Sequence, residues 1–496
     1  MKFIFFISIF IIVLSNSLAQ NVFSEFLRNS IDENVLPCDD FFRHACRKDN
    51  KQDIDTIFEN VVKELFESSN YTSQNEDVNA FQSILETPVA EILTDFQSQT
   101  LKEFQGLSKN QVSKYLAKLG KVFRDYSVNA VKCFDKVKGN SKIFRKCLEI
   151  ISRDISSDVI TQMRKVNYIT LHQAKAYKWL TNEGKTAISR LNGTLEDIRK
   201  HAVNLIEETP WIKNAHKINV YEKLAKDIHF LDEFENYLEI SENNLEKAAK
   251  HFKKCLNSLK TSESINNIIC ILDRELTKYR FKSIIRDGNN GGNTGYKLVF
   301  GENFYYTAKE VENDAEFMGF VGSSLLGHEF GHSIIVSDRD IYDNSDLMFS
   351  NVTKECVQDQ FKNSCDKFQE GSCEITETTF DDNGSDLVGL QLTYDLFKQK
   401  QKRRSNSQKI VDAISPEKLF FYAYSTGWCQ PISSGDGQHS PQNIRVNAVV
   451  VQIPDFAQLF GCSADSPMMQ TNKKQCVLFG KDASTTKHNN ENLGLE

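Results

Sequence analysis

Proline and glycine are scarce in this chain: its 496 residues carry only 8 and 23 of them. That scarcity excludes collagen-like repeats and low-complexity scaffolding. With 40% hydrophobic and 26% charged residues, the composition is that of a folded globular chain. Excess positive charge is also missing. Sixty Lys and Arg stand against 67 Asp and Glu, a net −7, whereas nucleic-acid binding demands a basic face. The densest basic run, Lys398, Lys400, Lys402, Arg403 and Arg404, reads as a solvated helix end and loop. Beyond Ala19 no apolar stretch reaches the ~20 residues that a membrane-spanning helix requires. Zinc-ribbon spacing of the C-x-x-C type and internal repeats are lacking too. Single cores stop growing at roughly 250–300 residues, so two lobes are expected.

What is present begins with a leader. Met1 to Ala19 has one positive charge at Lys2, an apolar run from Phe3 to Leu14 and a small-x-small ending at Ser17 and Ala19, which reads as a secretory signal peptide. An exported, extracellular protein without a membrane anchor is expected. Twelve cysteines follow the leader, and an even count in an exported chain reads as up to six disulfides. Sequons at Asn70, Asn192 and Asn351 fit a glycosylated surface; a fourth, at Asn383, falls in the active-site segment described below and is expected to stay unmodified.

From about Gln52 to Arg280 the chain is rich in Lys, Glu, Leu, Phe and Ile, with apolar residues recurring at three and four, as in Val220 to Leu238. A stack of helices is expected there. The composition breaks at DGNNGGNTG (287–295), which cannot be helix and begins a hairpin or edge strand continuing through Tyr296 to Phe300. The lobe boundary is placed here, with a helical lobe over 36–270 and a catalytic lobe over 285–479.

Residues 328–332 read HEFGH. Positions four apart share a helix face, so His328 and His332 can direct two imidazoles at one metal ion while Glu329 sits beside them as a general base. Catalytic zinc takes a third protein ligand and keeps a position for water. Downstream, Glu377 with Asp381 and Asp382 with Asp386 both have the four-residue spacing that would put one carboxylate on the metal and a second behind a histidine. Spacing alone does not choose between them.

HEFGH, the later acidic helix and the tail GQHSPQNIR (437–445) together resemble the neprilysin and endothelin-converting enzyme family of zinc metallopeptidases. PCDDFFRHAC (37–46), TPWI (209–212), FAQLFGC (456–462) and KKQCVLF (473–479) support the resemblance, which spans 37–479 with gaps. It implies a mainly α (α+β), bilobed fold: a helical lobe and a thermolysin-like zinc lobe with a small sheet. The family's third ligand lies in an E-N-x-x-D segment leading into Gly-Leu and Tyr. DNGSD (382–386) with Gly389, Leu390 and Tyr394 fits that register, which makes Asp382 the ligand and Asp386 the carboxylate behind a zinc histidine. By the same match His439 is the histidine that steadies the transition state and Arg445 the substrate-binding arginine. The resemblance also implies the disulfides Cys38–Cys462 and Cys46–Cys429, and one from Cys476 to Cys356 or Cys365.

The departures matter as much. The family's Asn-Ala substrate motif has no counterpart beyond the Gly/Asn run, where Asn289 and Asn290 read better as turn residues. SIIVSD (333–338) replaces the usual Gly-Phe-Asp-Asp, and the chain is shorter than family ectodomains, implying a trimmed helical lobe. Asp382 stands where the family has Glu. Its carboxylate reaches ~1.5 Å less far, whereas zinc distances tolerate about ±0.2 Å, so low activity and tighter zinc binding by an Asp382→Glu variant are expected unless the backbone has adapted, as the small Gly384 and Ser385 would permit, or Glu377 is the ligand. Two functions follow: a secreted zinc endopeptidase cutting peptides, or a secreted pseudopeptidase that binds peptides or proteins with little or no turnover.

Overall fold

The computed structural model describes residues 22–46, 54–68, 73–167, 171–212, 215–230, 234–259, 263–279, 291–294, 297–335, 351–369, 373–376, 378–403, 414–432, 435 and 437–483. The leader, Asn70, Asn289, Asn290, Glu377 and Arg404 lie outside them. Among the described residues the architecture is mainly helical, with one three-stranded sheet. Among the described residues no helix is long and apolar enough to cross a membrane.

The chain forms two compact units, and neither is contiguous. One comprises Leu65–Asn182 and Glu233–Ser283; the other comprises Met1–Glu64, Glu183–Asp232 and Ile284–Glu496. This corrects the contiguous boundaries drawn from composition: the segments 36–64 and 183–232 belong with the zinc-motif unit. Composition registers helix content, which these segments share with the helical unit, but it carries no record of packing partner.

In the helical unit the apolar residues spaced at three and four converge. Helix Ser141–Asn167 turns Phe144, Leu148, Ile151, Ile155 and Val159 inward, and Phe104 stacks on Phe144 with ring centroids 4.0 Å apart. Burying such side chains is worth roughly 1.5–3 kcal/mol each. Helix Val128–Phe134 starts at Ser127, whose Oγ accepts from the Ala130 amide at 3.1 Å. Two short loops are closed by Cys133–Cys147 and Cys255–Cys270.

In the other unit the described part of the glycine-rich break, Gly291–Thr294, supplies one strand of the expected hairpin. Strand β2 (Gly291–Thr294) pairs antiparallel with β3 (Lys297–Phe300), and β1 (His229–Phe230) adds in parallel on the other side of β3. Among the described residues β2 is an outer strand of this sheet. The segment PCDDFFRHAC is sewn onto the C-terminal part of the chain: Cys38 pairs with Cys462 and Cys46 with Cys429. Between them Phe41 meets Phe456 and Phe460 edge-on, and the Phe42 amide donates to Asn447 Oδ1 at 2.8 Å. TPWI has a similar structural use, because Trp211 Nε1 donates to the Leu478 carbonyl at 3.0 Å. Cys356, not Cys365, pairs with Cys476, and Cys365 closes onto Cys373. All twelve cysteines are paired.

Candidate metal centre

Two helices carry the centre. The motif helix, His328–Ile334, continues directly from a π-helix over Met318–Gly327, a wide winding that recurs at functional sites. The acidic helix, Phe380–Arg403, carries the four-residue pair Asp382 and Asp386. Small residues bring the two backbones together. A Cβ on Gly331 would lie 2.7 Å from Ser385 Cα, and one on Gly389 would lie 2.7 Å from the Gly327 carbonyl carbon. Positions 327 and 331 are four apart, as are 385 and 389, so the two contacts form an antiparallel seam of three glycines and one serine.

The seam delivers three donor atoms to one point. His328 Nε2 and His332 Nε2 are 3.1 Å apart, and Asp382 Oδ1 is 3.5 Å from each. Tetrahedral zinc with bonds of about 2.0–2.1 Å needs ligand edges of about 3.3–3.4 Å, so the triangle fits that ion. Two imidazoles and a carboxylate are also the donor chemistry zinc accepts. His328, His332 and Asp382 form the one such cluster among the described residues.

Behind the triangle Asp386 is fully buried. Its Oδ1 lies 2.8 Å from His328 Nδ1, and Arg445 grips the same carboxylate with a fork: Nε to Oδ2 at 2.6 Å and Nη2 to Oδ1 at 2.8 Å. A hydrogen on Nδ1 facing Asp386 leaves the Nε2 lone pair directed at the triangle. Burial alone would lower the His328 pKa, but Asp386 and then Asp382 outweigh it and push it up to about 9. Burial opposes ionisation of Asp382 and Asp386, yet it is outweighed in both: hydrogen bonds to His328 and His332 and the charge of Arg445 hold Asp382 well below the usual carboxylate range, and Arg445 with His328 lowers Asp386.

Around these groups the structure gathers the remaining expected residues. Glu329 is buried at 8% exposure, and strand β2 passes so close that a Cβ on Gly291 would fall 2.5 Å from its Oε1. His439 stands at the open rim, 43% exposed, with Nε2 3.3 Å from Asp382 Oδ1. Its loop is tied to the acidic helix: Ser440 Oγ donates to the buried Asn383 Oδ1 at 2.8 Å, and Thr378 Oγ1 donates to the Gly437 carbonyl at 2.9 Å. Asn383, the fourth sequon asparagine, is fully buried. Arg445 is buried as well, with its guanidinium carbon 3.8 Å over the Trp428 ring. The sequence reading left out Trp428, Gly291, Gly331 and the Asn383–Ser440 bond. Gly327 and Gly331, four apart across the start of the motif helix, and the small Ser385 left a readable trace.

Comparison with known proteins gives the same direction. Residues 302–476 match the model of Peptidase family M13. Neprilysin-1 of Caenorhabditis elegans is 26% identical over 181 residues, covering 32% of this chain and 23% of that protein. Mouse membrane metallo-endopeptidase-like 1 is 21% identical over 339 residues, covering 64% of this chain and 40% of the relative. The matches thus span less than half the length of these curated relatives. The fold is similar to a chain of the Haemonchus galactose containing glycoprotein complex, at a TM-score of 0.52 and 14% identity, covering 92% of this chain and 99% of that one.

Proposed function

Because the chain belongs to the neprilysin and endothelin-converting enzyme family, peptidase family M13, we propose that it is an exported zinc metalloendopeptidase that hydrolyses peptide bonds in peptides. The observation that carries this reading is the Nε2–Nε2–Oδ1 triangle with edges of 3.1, 3.5 and 3.5 Å. His328, His332 and Asp382 would hold the ion. Bound there, zinc would acidify a water and polarise the scissile carbonyl.

The protein's own groups divide the remaining work. Glu329 takes the proton of the attacking water and returns it to the leaving amine. His439 donates from Nε2 to the oxyanion, for which its place at the rim suits it. Asp386 fixes the His328 ring. Arg445 commits two of its five N–H groups to Asp386, and the others are what it can offer a substrate carbonyl. Six disulfides fit an oxidising, extracellular compartment. The competing pseudopeptidase reading would need an incomplete ligand set, and the position of Asp382 weighs against it.

The test is elemental analysis of the purified protein together with cleavage of a quenched peptide library, beside a Glu329→Gln control. Stoichiometric zinc and chelator-sensitive cleavage are expected in the wild type. The control should keep its zinc and lose turnover, since Glu329 acts on the water and not on the metal. Cleavage undiminished in the control, or a wild type without zinc, refutes the proposal.

A further inference from the structure

The seam between the two helices bears on a feature that sets this chain apart from the family it resembles, the aspartate at the third ligand position. Contacts between carbon atoms settle at about 3.5–4.0 Å. Any side chain at 331 would stand 2.7 Å from Ser385 Cα and 2.9 Å from Ser385 Cβ, and any side chain at 389 would stand 2.7 Å from the Gly327 carbonyl carbon and 2.8 Å from the His328 amide nitrogen. These obstacles are backbone atoms or the Cβ of a helical residue, so no rotamer change relieves them. The helices lie at the closest distance that glycine permits, with Asp382 one turn before Ser385 on the acidic helix. At that distance the shorter side chain already suffices: Asp382 Oδ1 is 3.5 Å from both imidazole nitrogens.

We propose that the glycine seam fixes this centre to a ligand of aspartate length, with Gly331 acting as a positioning residue that sets the reach required of residue 382. The inference rests on the zinc reading above. It reverses the expectation that Asp382→Glu tightens zinc binding. One more methylene adds ~1.5 Å of reach to a donor that already fits, against a tolerance of about ±0.2 Å. A glutamate there has to fold back or push the helices apart. Conversely, alanine at 331 has to move Ser385 away by about 1 Å to reach an ordinary contact. That displacement leaves Asp382 short and returns the advantage to the longer side chain.

The test is the zinc dissociation constant, measured against a chromophoric chelator, of the wild type, Asp382→Glu, Gly331→Ala and the double variant. Circular dichroism and thermal unfolding in excess chelator identify which of them are folded. Each single variant is expected to bind zinc about 10–100-fold more weakly, the range seen when groups that orient a ligand are disturbed. The double variant is expected to bind more tightly than either single one. Asp382→Glu binding as tightly as the wild type overturns the inference, as does a double variant whose losses simply add. Should Gly331→Ala fail to fold, Asp382→Glu decides alone. Absence of zinc binding by the wild type instead refutes the proposed function, which keeps the two failures distinct.

Discussion

Asp386→Asn is a change of one atom that the site should not tolerate. Three donors converge on the carboxylate: His328 Nδ1 and Arg445 Nη2 at Oδ1, both at 2.8 Å, and Arg445 Nε at Oδ2, at 2.6 Å. An ionised carboxylate accepts all three. An asparagine offers one oxygen and one NH2, and either orientation fails. With the NH2 at the Oδ2 position it faces the Arg445 Nε–H; with the NH2 at the Oδ1 position it faces the Arg445 Nη2–H and drives His328 to carry its hydrogen on Nε2, the atom aimed at the metal. The arginine side chain is 8% exposed and the aspartate side chain 0%, so water cannot substitute. Breaking a buried pair in this way costs about 3–5 kcal/mol; the two hydrogen bonds that asparagine can keep in either orientation place the expectation near the lower end, ~3 kcal/mol. Denaturant unfolding with excess chelator reads this loss without any metal contribution. Metal competition reads the second effect, an affinity about 10–100-fold lower because His328 then faces a neutral amide in place of a carboxylate. Stability within about 0.5 kcal/mol of wild type, the level of an indifferent surface substitution, together with unchanged metal affinity would refute the reasoning.

Ser440→Ala and Asn383→Ala should each lower kcat while leaving KM and zinc affinity close to wild type, the double variant should be no worse than the worse single one, and Ser440→Thr should restore activity; additive losses would show that the bond does not act through His439. Glu316 is buried with the Ser24 hydroxyl, a single donor, 2.9 and 2.7 Å from its two oxygens, and its pKa is raised, chiefly by burial. A raised carboxylate pKa costs stability once pH exceeds the ordinary value of 4.5, so Glu316→Gln should raise the unfolding temperature at pH 7 and change little at pH 4; an equal gain at both pH values contradicts this. Cys38–Cys462 closes 424 residues, but Cys46–Cys429 closes nearly the same span. Opening the first alone frees a loop of only about forty residues, so the loss should be about 4 kcal/mol and not the ~6 kcal/mol implied by the full span, and denaturation of Cys38→Ser/Cys462→Ser distinguishes the two values.

The sequence alone carried the helix-face placements set by near neighbours in the chain. The four-residue spacing in HEFGH puts His328 and His332 on one helix face wherever that helix sits, and the same holds for Asp382 and Asp386. The glycine-rich run before Phe300 excluded a helix, and its described part, Gly291–Thr294, is a strand paired antiparallel with Lys297–Phe300. The resemblance supplied Cys38–Cys462 and Cys46–Cys429, both present in the structure. Other features only the tertiary structure decided. Of Cys356 and Cys365, it pairs the first with Cys476. It also assigns 36–64 and 183–232 to the zinc-motif unit, stacks Arg445 on Trp428 and joins Ser440 to Asn383. Above all it sets the distance between the motif helix and the acidic helix. That distance follows from where Gly331 meets Ser385 and Gly327 meets Gly389, positions more than fifty residues apart. Periodicity fixes which face a residue occupies, but side-chain volume at the contact fixes how near two faces come, and the partner across a contact is known only once the chain has folded.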